Sequence, residues 1–135
     1  MDFNMASVTN LTSIVNDTDY PVNFHNSEQD SPPDFTVPML GYRFGSLWVP
    51  WVGNDGDSYK AIRVTAGKDR INIFIFQDYW NPPDLNEVKY AVGVDRFYYT
   101  TVESKKIPGD ADGAGNKILR ISTDDVGITL KLIQN

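Results

Sequence analysis

The chain has 135 residues, with 12 basic and 18 acidic side chains, a net charge of −6 and no cysteine. This length, with 41% apolar residues, predicts a single domain over residues 1–135 with its own core. The acidic balance argues against nucleic-acid binding, which needs a basic face, and the absence of cysteine excludes disulfides, thiol catalysis and thiolate metal sites.

Alternation of apolar and polar residues between turn residues predicts short strands in the first half of the chain. The Asp17-Thr18-Asp19 turn separates the first two of them, and Pro32, Pro33 and Pro38 mark a loop. The predicted elements are strands at residues 12–16 and 21–24, a loop over 26–38, and a mostly extended segment over 40–51 that is broken at Gly45 and Pro50.

The middle of the chain carries the clearest strand signal. Over residues 71–77, three isoleucines occupy one face of a strand and two phenylalanines occupy the other. A strand that is apolar on both faces is typical of a central, covered position in a sheet. The turn at residues 66–69 joins it as a hairpin to a strand predicted at residues 60–65.

The last third of the chain continues the same pattern. We predict strands at residues 87–92, 96–102, 118–122 and 128–133, with the last two forming a hairpin and with a soft Gly- and Asp-rich segment over 105–117. No segment has a period near 3.6, so no helix is predicted. Together the elements predict an all-β fold, a single-domain antiparallel β-sandwich, with a small β-barrel as the alternative.

The start of the sequence has neither a basic segment nor an apolar run, so no signal peptide is predicted. The longest apolar run, residues 73–76, is too short to cross a bilayer. We therefore expect a cytoplasmic protein or one released without a signal peptide.

Catalytic chemistry has little support, and we do not expect an enzyme. The single histidine, His25, lies close to Asn23 and Asn26 at the end of a predicted strand and is predicted to be a loop residue bonded to backbone. No Gly-x-Ser-x-Gly segment occurs, and aspartate is so frequent that a carboxylate pair carries no information about glycoside hydrolysis.

Tryptophan and short polar side chains occur together in the predicted loops. The C–H face of a sugar ring packs on an indole, while Asp and Asn pair with its hydroxyls. We therefore predict a lectin-like carbohydrate-binding protein with a glycan as its partner. The predicted ligand contacts are Trp51, Trp80, Asn54, Asp55, Asp78 and Asn81.

Two alternative functions fit the same aromatic loops. Exposed tryptophan suits the headgroup layer of a membrane, so the first alternative is a protein of a defence or toxin system that binds lipid or a membrane surface. The second is a structural or assembly protein whose aromatic loops fill an interface, as in a homo-oligomer. Trp48, flanked by Leu47 and Val49, is predicted to lie in the core.

Calcium is the only cofactor for which the sequence offers a hypothesis. Asp110 and Asp112 alternate with small residues in a Gly-rich segment, and such loops can supply several oxygen ligands. The spacing does not match an EF-hand, because Ala114 and Ile121 occupy its fifth and twelfth positions.

One short segment resembles known proteins. Ile14-Val15-Asn16-Asp17-Thr18, followed by Pro21-Val22, is similar to the opening strands of several small all-β proteins. The aegerolysins, acidic lipid-binding sandwiches of about this size, are one such group. The resemblance is generic and assigns a role to no residue.

Overall fold

A computed structural model describes residues 8–27, 34–80 and 86–135. Within these ranges the chain forms two packed sheets, which confirms the all-β sandwich and leaves the predicted alternative, a closed barrel, without support. The strands are β1 Thr9–Asn16, β2 Val22–His25, β3 Asp34–Val37, β4 Gly41–Trp48, β5 Trp51–Val52, β6 Ile62–Ala66, β7 Ile71–Asp78, β8 Val88–Val92, β9 Lys105–Lys106, β10 Gly115–Thr123 and β11 Ile128–Gln134.

The smaller sheet has the strand order β11-β10-β1-β4, and the larger has the order β3-β2-β6-β7-β8-β9. Most neighbours are antiparallel, as predicted, but β1 runs parallel to β10. The short β5 also runs parallel to β7, beside the last two residues of that strand. Strand β6 pairs with β7 only over Ile71–Ile75. Strand β5 pairs with the same edge of β7 beyond that point, at Gln77 and Asp78.

Strand β7 is buried on both faces, as its sequence predicts. Ile73 and Ile75 are fully buried in the main core between the sheets. Phe74 and Phe76 point to the other face, where a second apolar cluster forms. The predicted closing hairpin is also present, with Leu119 opposite Leu132 in the β10–β11 ladder.

Three local predictions are wrong. Residues 96–102 form turns instead of a strand, because Phe97 and Tyr99 pack over Phe76 as a cover on the larger sheet. Part of the predicted loop over 26–38 is strand β3, in which Phe35 stacks on Phe24 with 5.0 Å between ring centroids. A short 3₁₀ helix, Asp55–Lys60, lies between β5 and β6, although no helix was predicted. No helix among the described residues has the length and apolar character to cross a membrane.

The side chain of Gln77 joins the two sheets. It is fully buried, and its Oε1 accepts a hydrogen bond from the backbone N–H of Thr9 in the smaller sheet (3.0 Å). Its Nε2 donates to the carbonyl of Asn86 (3.0 Å), and its backbone N–H donates to the carbonyl of Pro50 (2.8 Å). The chain crosses from the smaller to the larger sheet at Pro50, so the hydrogen bond between Gln77 and Pro50 fixes where β5 begins.

The position of Ile75 gives a test of the fold. Ile75→Ala removes fully buried methyl groups between the sheets and should lower the free energy of unfolding by about 2–5 kcal/mol. Urea unfolding monitored by fluorescence measures the change. Val126→Ala, at a residue that is 95% exposed, is the control and should be nearly neutral. A loss below roughly 1 kcal/mol for Ile75→Ala would contradict a central position for β7.

Candidate functional site

A surface pocket of about 310 Å³ lies where β5, the 3₁₀ helix and the end of β7 meet. Its volume is at the lower end of the range for small-molecule sites, roughly 300–1,000 Å³. One wall is aromatic and the other is polar. We call it the Trp80 pocket, and it is lined by Trp51, Gly53, Asn54, Asp57, Lys60, Tyr79 and Trp80.

The aromatic wall consists of three rings in successive contact. The ring of Tyr79 meets Trp51 edge-on with 5.9 Å between centroids and meets Trp80 with 4.6 Å between centroids. Trp80 is 58% exposed, whereas Trp51 is half-buried. Among the described residues, none accepts a hydrogen bond from the buried Nε1 of Trp51. The wall therefore presents the indole of Trp80 to solvent, with Tyr79 behind it.

Gly53 determines how closely the Trp80 indole approaches the backbone. A Cβ atom at this position would lie 2.7 Å from Nε1 of Trp80 and 3.0 Å from Cβ of Tyr79. Such distances are too short for carbon contacts, so a side chain at Gly53 would push the indole away. The glycine thus leaves the space that the Trp80 indole occupies.

Asp78 supports the same wall from below. It is buried, and its carboxylate accepts hydrogen bonds from Nζ of Lys89 (2.7 Å), the hydroxyl of Tyr99 (2.5 Å) and the backbone N–H of Trp80 (3.1 Å). Asp78, a predicted ligand contact, does not line the Trp80 pocket, and its carboxylate faces these protein donors. Its role is to position Trp80.

The polar wall follows one side of the 3₁₀ helix. Asn54 caps the helix, with its Oδ1 accepting from the backbone N–H of Asp57 (2.9 Å). Asp57 also forms an ion pair with Lys60 (3.4 Å). A 3₁₀ helix has three residues per turn, so the positions of Asn54, Asp57 and Lys60 align along the pocket. The three-residue spacing of these polar residues is visible in the sequence, but the prediction of the site did not use it.

Asp55 lies on another side of this helix. Its carboxylate accepts from the backbone N–H (2.9 Å) and the hydroxyl (2.7 Å) of Thr100. These hydrogen bonds, the backbone bond first, lower the pKa of Asp55 below its usual value. The structure thus brings together Trp51, Trp80 and Asn54 from the predicted ligand contacts and separates Asp55 from them. Asn81 lies outside the described residues.

The predicted calcium ligands have a different environment. Asp110 forms an ion pair with the buried ammonium of Lys117 (2.9 Å), which competes with any cation for this carboxylate. No group of three or more His, Cys, Asp or Glu side chains with metal-binding geometry occurs within the described part of the chain. Calcium at Asp110 and Asp112 stays a prediction from the sequence alone.

The structure corrects the expectation that Trp48 lies in the core. Its side chain is 59% exposed, because it belongs to the outward-facing row of β4, an edge strand of the smaller sheet. Trp48 and Trp51 are three residues apart in sequence but belong to different sheets.

Comparisons with protein-family models, with curated proteins and with solved structures found no match for this chain. The geometry of the side chains is therefore the basis for inferring its function.

The buried carboxylate offers a test of how the aromatic wall is held. Asp78→Ala leaves the Lys89 ammonium and the Trp80 amide without this acceptor, and should lower the free energy of unfolding by about 3–5 kcal/mol. Urea unfolding measures this loss. The control is Asp57→Ala, which removes a more exposed ion pair and should lose about 1 kcal/mol or less. Equal losses in the two variants would contradict the supporting role of Asp78.

Proposed function

We propose that this chain is a non-catalytic carbohydrate-binding protein and that the Trp80 pocket is its binding site. The observation that carries the proposal is the exposed indole of Trp80 opposite a row of amide, carboxylate and ammonium groups. The C–H face of a sugar ring can stack on the indole, while its hydroxyls pair with Asn54, Asp57 and Lys60.

The rigidity of the aromatic wall supports this proposal. Asp78 holds the backbone of Trp80, the Tyr79 ring packs against the indole, and Gly53 leaves the space for this arrangement. A ring that is already in place loses little conformational entropy when a ligand binds, so more of the contact energy contributes to affinity. The exposed indole is therefore presented in a form suited to stacking.

The position of the single histidine agrees with a site that binds without catalysing. His25 forms a hydrogen bond with Asp34 (2.6 Å) on the β2–β3 ladder and does not line the Trp80 pocket. The pocket therefore contains no imidazole to act as a base. Among the described residues, its titratable groups are Asp57, Lys60 and Tyr79, and Asp57 is paired with Lys60.

Trp80→Ala tests the site, and Trp48→Ala is its matched control. The two side chains are almost equally exposed, at 58% and 59%, but only Trp80 lines the pocket. A glycan array with the wild-type protein selects a ligand, and calorimetry then measures the affinities. We expect Trp80→Ala to weaken binding about tenfold or more, as the loss of a stacked ring and its buried area predicts. Trp48→Ala should bind like the wild type.

The same experiment can contradict the proposal in two ways. Equal affinities in both variants would mean that sugar binds elsewhere on the protein. A wild-type protein that binds no glycan on a broad array would refute the carbohydrate-binding function. Both substitutions remove exposed side chains, so urea unfolding should show changes of only about 1 kcal/mol or less.

Attachment to a membrane surface is a second candidate function, and a separate apolar patch favours it. Met39, Leu40, Tyr42 and Phe44 are each more than half exposed at the start of β4. The rings of Tyr42 and Phe44 pack together with 4.9 Å between centroids. Clustered exposed apolar side chains of this kind mark contact surfaces for membranes or other proteins.

The apolar patch can be tested without disturbing the Trp80 pocket. The double variant Leu40→Asn, Phe44→Ser removes its two most exposed side chains, and Asn suits the positive φ of 50° at position 40. If the patch binds membranes, the wild type should sediment with phosphatidylcholine liposomes and the double variant should stay in solution. Trp80→Ala, as the control, should sediment like the wild type.

Light scattering on the same proteins separates the third function, assembly, from membrane binding. A wild-type homo-oligomer that dissociates in the double variant would assign the patch to a protein interface. A wild type that is monomeric and does not bind liposomes would exclude both membrane binding and assembly as functions of the patch.

A further inference from the structure

A second pocket, of about 370 Å³, lies on the other side of the 3₁₀ helix from the Trp80 pocket. Of its lining residues, only Asp55 was among the predicted ligand contacts, because the pocket is assembled from the helix, β6, β7 and the segment that covers the larger sheet. We call it the Tyr98 pocket. The side chains that matter here are Tyr59, Arg63, Asp95, Arg96, Phe97 and Tyr98.

The Tyr98 pocket has the chemistry of a sugar site. Phe74 and Phe97 stack with 6.1 Å between ring centroids and form an apolar floor. Tyr59 and Tyr98 line the pocket with exposed rings, at 66% and 45% exposure. Aromatic rings of this kind offer flat faces for the C–H side of a sugar.

The polar groups of this pocket are available to a ligand. Arg63 and Arg96 are exposed, and neither has an ion-pair partner in the described part of the chain. A guanidinium group is a planar fork of donors, which matches two neighbouring hydroxyl oxygens. Asp95 supplies an acceptor, whereas Asp55 is already bonded to Thr100. Two arginines balance two aspartates, so the pocket suits a polar, uncharged ligand.

The two pockets share the 3₁₀ helix as a common wall. Asp57 and Lys60 line the Trp80 pocket, while Gly56 and Tyr59 line the Tyr98 pocket. Nζ of Lys60, in the Trp80 pocket, lies 5.9 Å from the centroid of the Tyr59 ring, in the Tyr98 pocket. The two pockets are therefore neighbours on the surface. Gly56 contributes no side chain to the ridge between the two pockets, so a ligand can cross the helix there.

We propose that the Tyr98 pocket is a second sugar subsite and that the ligand is an oligosaccharide that crosses the helix near Gly56. This inference rests on the proposed function of the Trp80 pocket and adds a requirement for ligand length. A ligand that occupies both pockets gains affinity because its second contact is intramolecular.

A series of ligands of increasing length tests the proposal. Calorimetry compares the monosaccharide with its di- to hexasaccharides, using the sugar selected on the glycan array. In the wild type we expect affinity to rise about tenfold or more with length, in line with the gain from a second linked contact. Tyr98→Ala should remove this rise and leave monosaccharide affinity unchanged, whereas Trp80→Ala should weaken binding at every length.

Two further variants make the result interpretable. Arg96→Gln changes the same pocket at an exposed residue and should flatten the length dependence like Tyr98→Ala, so the test survives if one variant folds poorly. Tyr42→Ala is the control, since Tyr42 is an exposed tyrosine on β4 and should keep the wild-type profile.

The outcomes separate the two proposals. Constant affinity across ligand lengths in a wild type that binds the monosaccharide would overturn the second subsite and keep the proposed function. The second subsite is equally overturned if Tyr98→Ala and Arg96→Gln retain the full rise with length. A wild type that binds no sugar of any length would overturn the proposed function, and the second subsite with it.

Discussion

The last two residues of β7 bury an amide and a carboxylate on opposite faces of the strand, and both groups must find partners inside the protein. Leaving such groups unpaired away from water costs several kcal/mol, on the order of 2–7 for a neutral polar group. Gln77 meets this constraint by bonding to the start of β1 and to the carbonyl of Asn86, which ties one sheet to the other. Asp78 meets it by bonding to Lys89, Tyr99 and the backbone of Trp80. The sandwich and its pocket therefore depend on two consecutive residues.

The placement of the tryptophans follows from this junction. Because the chain changes sheet at Pro50, Trp48 ends an edge strand while Trp51 begins a strand beside Gln77 and Asp78. The alternation of side chains along a single strand therefore does not continue from one tryptophan to the other. Trp51 reaches the pocket by this crossing, and Trp80 reaches it by the turn that Asp78 stabilises. The aromatic wall combines residues from two separate parts of the sequence.

Local patterns in the sequence predicted the structure well where neighbouring residues decide it. The double-faced pattern of residues 71–77 and the β10–β11 hairpin are of this kind, since periodicity and a turn suffice. The prediction of a strand at residues 96–102 was wrong because aromatic side chains suit both a strand and a segment that covers a sheet. The occurrence of tryptophan beside Asn and Asp in the sequence pointed to three residues that line the Trp80 pocket, Trp51, Trp80 and Asn54. Asp55 lines the Tyr98 pocket instead, because the side on which it lies is set by a 3₁₀ helix too short to show a period in the sequence.

The parallel pairing of β1 with β10 determines the order in which the molecule can assemble. Thr9 Oγ1 accepts a hydrogen bond from the backbone of Ala114, 105 residues further along the chain. Closing so long a loop loses chain entropy before any contact compensates for it, so we expect this pairing to form late in folding. Until the β10–β11 hairpin docks, β1 has an open edge on one side and Leu11 and Ile14 lack much of their cover. An unfinished chain therefore exposes a strand that can pair with another molecule, and self-association during folding competes with closure of the smaller sheet.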